Sequence, residues 1–94
     1  MTAYIVAIRD STKDAAALAT YGAMAAKARI PDMKVLAAYG ALETLEGQAA
    51  EGVVLIEFPD METAKAWYGS PAYQEAREHR FAGADYRFIL FQGR

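Results

Sequence analysis

Val53-Val54-Leu55-Ile56-Glu57-Phe58-Pro59-Asp60 is the stretch on which the reading of this chain turns. Its first six positions are apolar or β-branched except for Glu57, the pattern of a strand. Pro59 closes it, and Asp60 is placed to cap a helix. Side chains alternate along a strand. Val53, Leu55 and Glu57 therefore share one face, and Val54, Ile56 and Phe58 share the other. Both faces are oily, so both need cover.

Toward the C-terminus, a helix is predicted over Met61 to Tyr68, breaking at Gly69. Ser70-Pro71 restarts it, with serine at the cap and proline at the first helical position. This second piece ends near Arg80. Gly83 separates it from a last strand, Tyr86 to Phe91. Toward the N-terminus, residues 47–52 read as a hairpin loop. They are preceded by a strand from Met33 to Tyr39 that bends at Gly40 and continues through Ala41 to Glu46. Ile30-Pro31-Asp32 ends a preceding helix. That helix carries the stripe Leu18, Tyr21, Met24, Ala25 and Ala28 and is otherwise mostly alanine. Ser11 and Asp14 have the spacing of a capping box at its start. Thr2 to Arg9 is the first strand. The order is β-α-β-β-α-β over residues 1–94, one ferredoxin-like α+β domain. It has a four-stranded antiparallel sheet with helices on one face.

The composition narrows the function. Apolar residues make up 54% of the 94 positions and charged residues 23%, as in an ordinary globular protein. The net charge of −2 offers no basic footprint for nucleic acid or for an anionic membrane. Absence of cysteine removes disulfides, thiolate metal sites and cysteine nucleophiles. A single histidine, His79, is a poor basis for a metal or for haem. No secretion signal or membrane span is read, so a cytoplasmic location is the default expectation. No glycine-rich phosphate loop or nucleophile elbow is present.

Helices cover only one face of such a sheet. Whichever face they leave bare is oily, because Val53 and Leu55 lie on one side of the third strand and Val54, Ile56 and Phe58 on the other, and the last strand, Phe88-Ile89-Leu90-Phe91, is apolar on both sides. A second copy of the chain packed sheet to sheet would cover it, so a homodimer is expected.

Several residues are candidates for chemistry. Glu57, a carboxylate in an apolar strand, is a general base or ligand clamp, half of a structural ion pair with Arg77 or Arg80, or simply exposed at the strand's end. Tyr73, Arg77 and Arg80 share a helical face by three-and-four spacing. An inward guanidinium beside an aromatic ring suits a carboxylate or enolate, or it pairs with Glu57. Trp67 is a core anchor or a pocket wall. Tyr21 and Tyr39 are polar-tipped aromatics that a pocket could use.

Leu45-Glu46-Gly47, Val53 to Pro59, Ala66-Trp67-Tyr68-Gly69-Ser70-Pro71-Ala72-Tyr73-Gln74 and Arg80 together resemble the family known as domain of unknown function 1330. The resemblance spans nearly the whole chain. It implies a dimeric α/β barrel, within a superfamily that includes cofactor-free monooxygenases, isomerases and haem enzymes. Its characteristic positions fall on Glu57, Trp67, Tyr68, Ser70, Tyr73 and Arg80. Two segments depart from it. Pro31-Asp32-Met33 replaces a Tyr-Gly-Gly turn, and Ala38-Tyr39-Gly40 replaces Arg-Gly-Gly, which removes a cation that Arg77 could restore.

The expectation is a homodimer binding a small organic molecule, a carbonyl compound or aromatic acid, without a bound cofactor or metal. Glu57 and Arg80 would do any catalysis; Tyr21, Tyr39, Trp67, Tyr73 and Arg77 would line the site. The alternative is a non-catalytic dimeric module in which Glu57 and Arg80 form a structural pair.

Overall fold

The apolar run at 53–58 becomes β3 (Gly52–Phe58) and lies between two other strands, which explains why both its faces are apolar. The computed structural model describes the whole chain, Met1 to Arg94. Its remaining elements are β1 (Ala3–Thr12), α1 (Ala15–Lys27), β2 (Lys34–Ala38), α2 (Met61–Tyr68), α3 (Pro71–Gly83) and β4 (Ala84–Gln92). The strands form one antiparallel sheet in the order β2-β3-β1-β4. This is the ferredoxin-like arrangement, with its second helical crossover split at Gly69-Ser70.

The register sorts the sheet into two faces. Ile5 lies opposite Ile56 and Leu90, Ala7 opposite Val54 and Phe88, and Ala3 opposite Phe58. These residues turn toward the helices, where Ala3, Ile5, Ala7, Ile56 and Phe58 are buried. The intervening positions face away: Tyr4 opposite Glu57 and Phe91, Val6 opposite Leu55 and Ile89. On that bare face Ile89 remains 47% exposed and Phe91 42% exposed.

The core lies beneath α2 and α3. Phe58, Trp67 and Tyr73 stack there, with ring centroids 5.6 Å apart for Phe58 and Trp67 and 4.2 Å for Trp67 and Tyr73. The Trp67 indole donates to the Ala28 carbonyl at 3.2 Å. Local chemistry fixes these helices. Asp60 Oδ1 accepts from the Thr63 amide at 2.7 Å. Ser70 Oγ accepts from the Tyr73 amide at 3.3 Å and donates back to the Trp67 carbonyl at 2.7 Å. With Pro71 at the first turn, the boundary between α2 and α3 is tied from both sides.

Three boundaries differ from the sequence reading. β1 runs on to Thr12, and Ser11 does not cap α1: its hydroxyl donates to Asp85 Oδ2 at 2.7 Å, across to β4. Asp14 caps instead, accepting from the Ala16 and Ala17 amides at 3.0 and 3.3 Å. A register shift between Arg9 and Ser11 lets β1 continue past the end of its pairing with β3. β2 ends at Ala38, and residues 41–46 form no strand. Tyr39 is the reason: its φ of 55° lies in the left-handed region, which turns the chain out of the sheet one residue before Gly40. The bulge falls earlier, between Val35 and Ala37. Finally, α3 continues through Gly83, which is needed there for close packing. A Cβ at Gly83 would lie 2.7 Å from the Leu18 backbone nitrogen, so glycine lets α1 and α3 meet.

Candidate functional site

Alanine makes α1 a good helix but a poor wedge. Its sheetward side is largely Ala15, Ala19, Gly22, Ala25 and Ala26, and no residue within α1 is buried. Such short side chains do not reach the sheet. The result is a cleft of about 660 Å³ between α1 and the sheet, floored by Ala7, Val35, Val54, Ile56 and Phe88. This is the size of a pocket for a small organic molecule.

The cleft's polar groups are few. Tyr21, Tyr39 and Tyr86 bring hydroxyls, and Arg9 and Arg29 bring charge. The hydroxyls are paired: Tyr39 with Tyr86 at 2.6 Å, and Tyr21 with Tyr73 at 2.9 Å. Burial, ahead of these pairings, pushes the Tyr21 and Tyr39 phenols well above their ordinary value. Burial also raises Tyr73. At neutral pH all three are neutral hydrogen-bonding groups. The Arg9 guanidinium lies 5.1 Å from the centre of the Tyr39 ring, and its Nε is 3.2 Å from Glu51 Oε1. Thr12 Oγ1 donates to the same Glu51 oxygen at 2.7 Å. Tyr39 fits because residue 52 is glycine: a Cβ there would lie 2.7 Å from the ring.

Of the residues singled out from sequence, Tyr21, Tyr39 and Trp67 line the cleft. Tyr73 lies one layer behind, fully buried, with its hydroxyl on that of Tyr21. Arg80 also lies behind the wall and is only 3% exposed. Its guanidinium is 4.1 Å from the Phe88 ring centre and 5.4 Å from that of Tyr86. Arg77 is elsewhere. It donates to the Tyr68 hydroxyl at 3.3 Å and sits 4.9 Å from the Phe81 ring, away from the cleft. Arg9, not Arg77, brings a cation beside Ala38 and Tyr39.

Glu57 is not brought to these groups. It lies between buried Ile56 and Phe58 and so points to the bare face, with Tyr4 and Lys34 as its cross-strand neighbours. Arg80 lies on the helix side, so the Glu57–Arg80 pair does not form, either as a catalytic couple or as a structural bridge. The ion pairs are Arg9–Glu51, Lys13–Asp85 and Arg87–Asp10. The reason is parity: Glu57 shares its face with Val53 and Leu55, and that face is the one the helices leave uncovered. Arg9 and Tyr86 were missed as site residues, although the same parity marks them. Arg9 continues the inward row Ile5, Ala7, and Tyr86 the inward row Leu90, Phe88.

No three or more histidine, aspartate or glutamate side chains gather where they could hold a metal ion. No helix is long and apolar enough to cross a membrane.

The chain's relatives agree with this architecture. A protein of unknown function from Rhodopseudomonas palustris is 21% identical, with a TM-score of 0.68 over 99% of this chain and 82% of that one. A dimeric ferredoxin-like protein of unknown function from Thermobifida fusca is 18% identical, with a TM-score of 0.70 over 99% and 92%. SnoaB, a cofactor-independent oxygenase from Streptomyces nogalater, is 13% identical in a mutant form, with a TM-score of 0.62 over 99% and 92%. At these identities the likeness shows the fold alone. No functionally curated protein matches the chain. The family model for a domain of unknown function, DUF1330, matches residues 2–94, and the chain belongs to that family.

Proposed function

We propose that the chain binds a flat, mostly apolar organic molecule carrying a carbonyl or acid oxygen, in the cleft between α1 and the sheet. The observation that carries this reading is the cleft itself: about 660 Å³, nearly all apolar, with tyrosine hydroxyls and two arginines as its polar groups. Pockets of that size and lining are the usual form of a small-molecule site. Any chemistry there would be of the cofactor-independent kind named for SnoaB. The lining includes no carboxylate or imidazole, so a proton would have to be handled by the substrate or by tyrosine.

The active form is a homodimer packed through the bare sheet face. An apolar face of this extent favours association. The Thermobifida fusca relative is dimeric. Sedimentation at micromolar concentration should show a dimer. Ile89→Asp, on the edge strand β4 and 47% exposed on that face, should give a monomer; a wild-type monomer would sink this part.

Gly22→Leu tests the cleft. Gly22 lines it, and an added Cβ would meet nothing within 4 Å, so the variant should fold and fill the space. Calorimetry with naphthoate should show binding to the wild type and at least a tenfold weaker affinity in Gly22→Leu. Equal affinity in both would place the binding elsewhere.

A further inference from the structure

Arg77 and Arg80 share one side of α3 by three-residue spacing, and neither finds an acid. Arg80 is 3% exposed, and the ion pairs include neither residue. The Nε atoms of both are buried without a hydrogen-bond partner. Desolvating such charges is costly. Ring faces offset part of that cost. The Arg80 guanidinium lies 4.1 Å from the centre of the Phe88 ring, and that of Arg77 lies 5.6 Å from the centre of the Tyr68 ring.

The centres of those two rings are 6.0 Å apart, and both rings wall a second, smaller groove of about 350 Å³. It lies between α2 and the edge strand β4, where Ile5, Ala64 and Leu90 complete the apolar lining and Lys65 is the charged member. Only Phe88 is shared with the cleft, and the stacked rings Phe58, Trp67 and Tyr73 do not reach the groove. The groove is on the helix side of the sheet, so a second copy on the bare face leaves it open. No carboxylate lines it, and Lys65, like the two arginines, is in no ion pair. The Tyr68 hydroxyl adds a donor. A guanidinium can only donate, so at 3.3 Å from Arg77 the Tyr68 oxygen accepts, and its own proton is not used in that bond.

The geometry points to a second ligand site, in this groove between α2 and β4, that takes a small apolar carboxylate. The body of the ligand lies against Ile5, Phe88 and Leu90, and its carboxylate takes the Lys65 ammonium and the Tyr68 proton. A volume near 350 Å³ is at the lower end for small-molecule pockets, which limits the body to about one ring. Arg77 is a positioning residue, since its bond to the Tyr68 oxygen leaves that hydroxyl to donate. The unneutralised charges of Arg77 and Arg80 on the groove's ring walls favour an anion over a neutral molecule of the same shape. This site is separate from the cleft and does not depend on it.

The test titrates the intact, isotope-labelled protein at neutral pH and low salt with benzoate and with benzamide, which share a shape and differ in charge. Benzoate should shift the amide resonances of Lys65, Gly69 and Leu90 saturably. It should bind about tenfold tighter than benzamide, as a charge-assisted hydrogen bond requires. Lys65→Gln, at an exposed position, should weaken benzoate about fivefold and leave benzamide unchanged. Tyr68→Phe should do the same; if it fails to fold, Lys65→Gln decides the matter. Gly22→Leu, which fills the cleft and lies outside the groove, should leave the benzoate titration as in the wild type. Equal affinity for the two probes would overturn the site, as would the absence of saturable shifts at the groove amides or undiminished benzoate affinity in Lys65→Gln. Loss of benzoate binding in Gly22→Leu would also overturn it and assign the probe to the cleft. None of these outcomes alters the naphthoate test of the cleft.

Discussion

The two ends of the helix layer meet the same sheet in different ways. Under α2 and α3, large rings fill the space: Phe58, Trp67 and Tyr73 are buried in mutual contact. Under α1, the helix side is mostly alanine and glycine, with Leu18 and Tyr21 as its larger side chains, and the space stays open. The backbone pattern is nearly two-fold, so topology does not make the difference. Side-chain volume does. A packed end holds the fold, and the under-filled end is where we propose that a ligand sits.

The largest expected effect is at the packed end. Trp67→Ala removes a ring that is 3% exposed, together with its bond to the Ala28 carbonyl. Urea denaturation should show a loss of about 3–5 kcal/mol. At the open end, Val54→Ala removes two methyls that face the cleft and should cost less than about 1 kcal/mol, because no sealed cavity is created there. Equal losses at the two sites would erase the distinction between the ends. Gly83→Ala comes next. Its Cβ would press on the Leu18 backbone, which cannot swing aside as a side chain can. A loss of about 1–3 kcal/mol is expected, seen as a lower urea midpoint with an unchanged slope.

Gly22→Ala should go the other way. The position is helical, with open space around a new Cβ. Thermal unfolding should show a gain of about 0.5–1 kcal/mol. A loss would mean that the space around Gly22 is closed in solution. The smallest effect is a dependence on pH at the packed end. The Thr63 backbone amide holds Asp60 below its ordinary value of 3.8. A lowered folded-state pKa adds stability that is fully present above the unfolded value and is lost as the pH falls through the folded one. Asp60→Asn keeps the cap but cannot ionise, so its stability should vary less between about pH 5 and pH 2 than the wild type's. Parallel curves would show that the cap's charge contributes nothing.

Much of this was legible in residue order. Pro59-Asp60 and Gly69-Ser70-Pro71 punctuate the helices by local chemistry alone, and α2 spans Met61–Tyr68 as the sequence predicts. The exceptions have physical causes. Ser11 and Asp14 were both able to cap, and the choice depended on Asp85, 74 residues away, offering Ser11 a partner. Residues 41–46 read as a continuation of β2, yet the left-handed backbone at Tyr39 takes them off the sheet. That ring is held by Tyr86 and by the gap over Gly52, and neither contact is local.

The site divides in the same way. By itself the sequence determined the element order, the two oily faces of β3 and an alanine-rich first helix, because periodicity and propensity act over a few residues. Only the tertiary structure decided that Glu57 looks away from Arg80. That depends on which face of β3 the helices cover, and alternation alone assigns two faces without saying which is inside. It also decided that the alanines of α1 leave a cleft rather than a close contact. That outcome depends on where α1 sits: it packs closely on α3 at Leu18 and Gly83, and its small side chains leave the space over the sheet open.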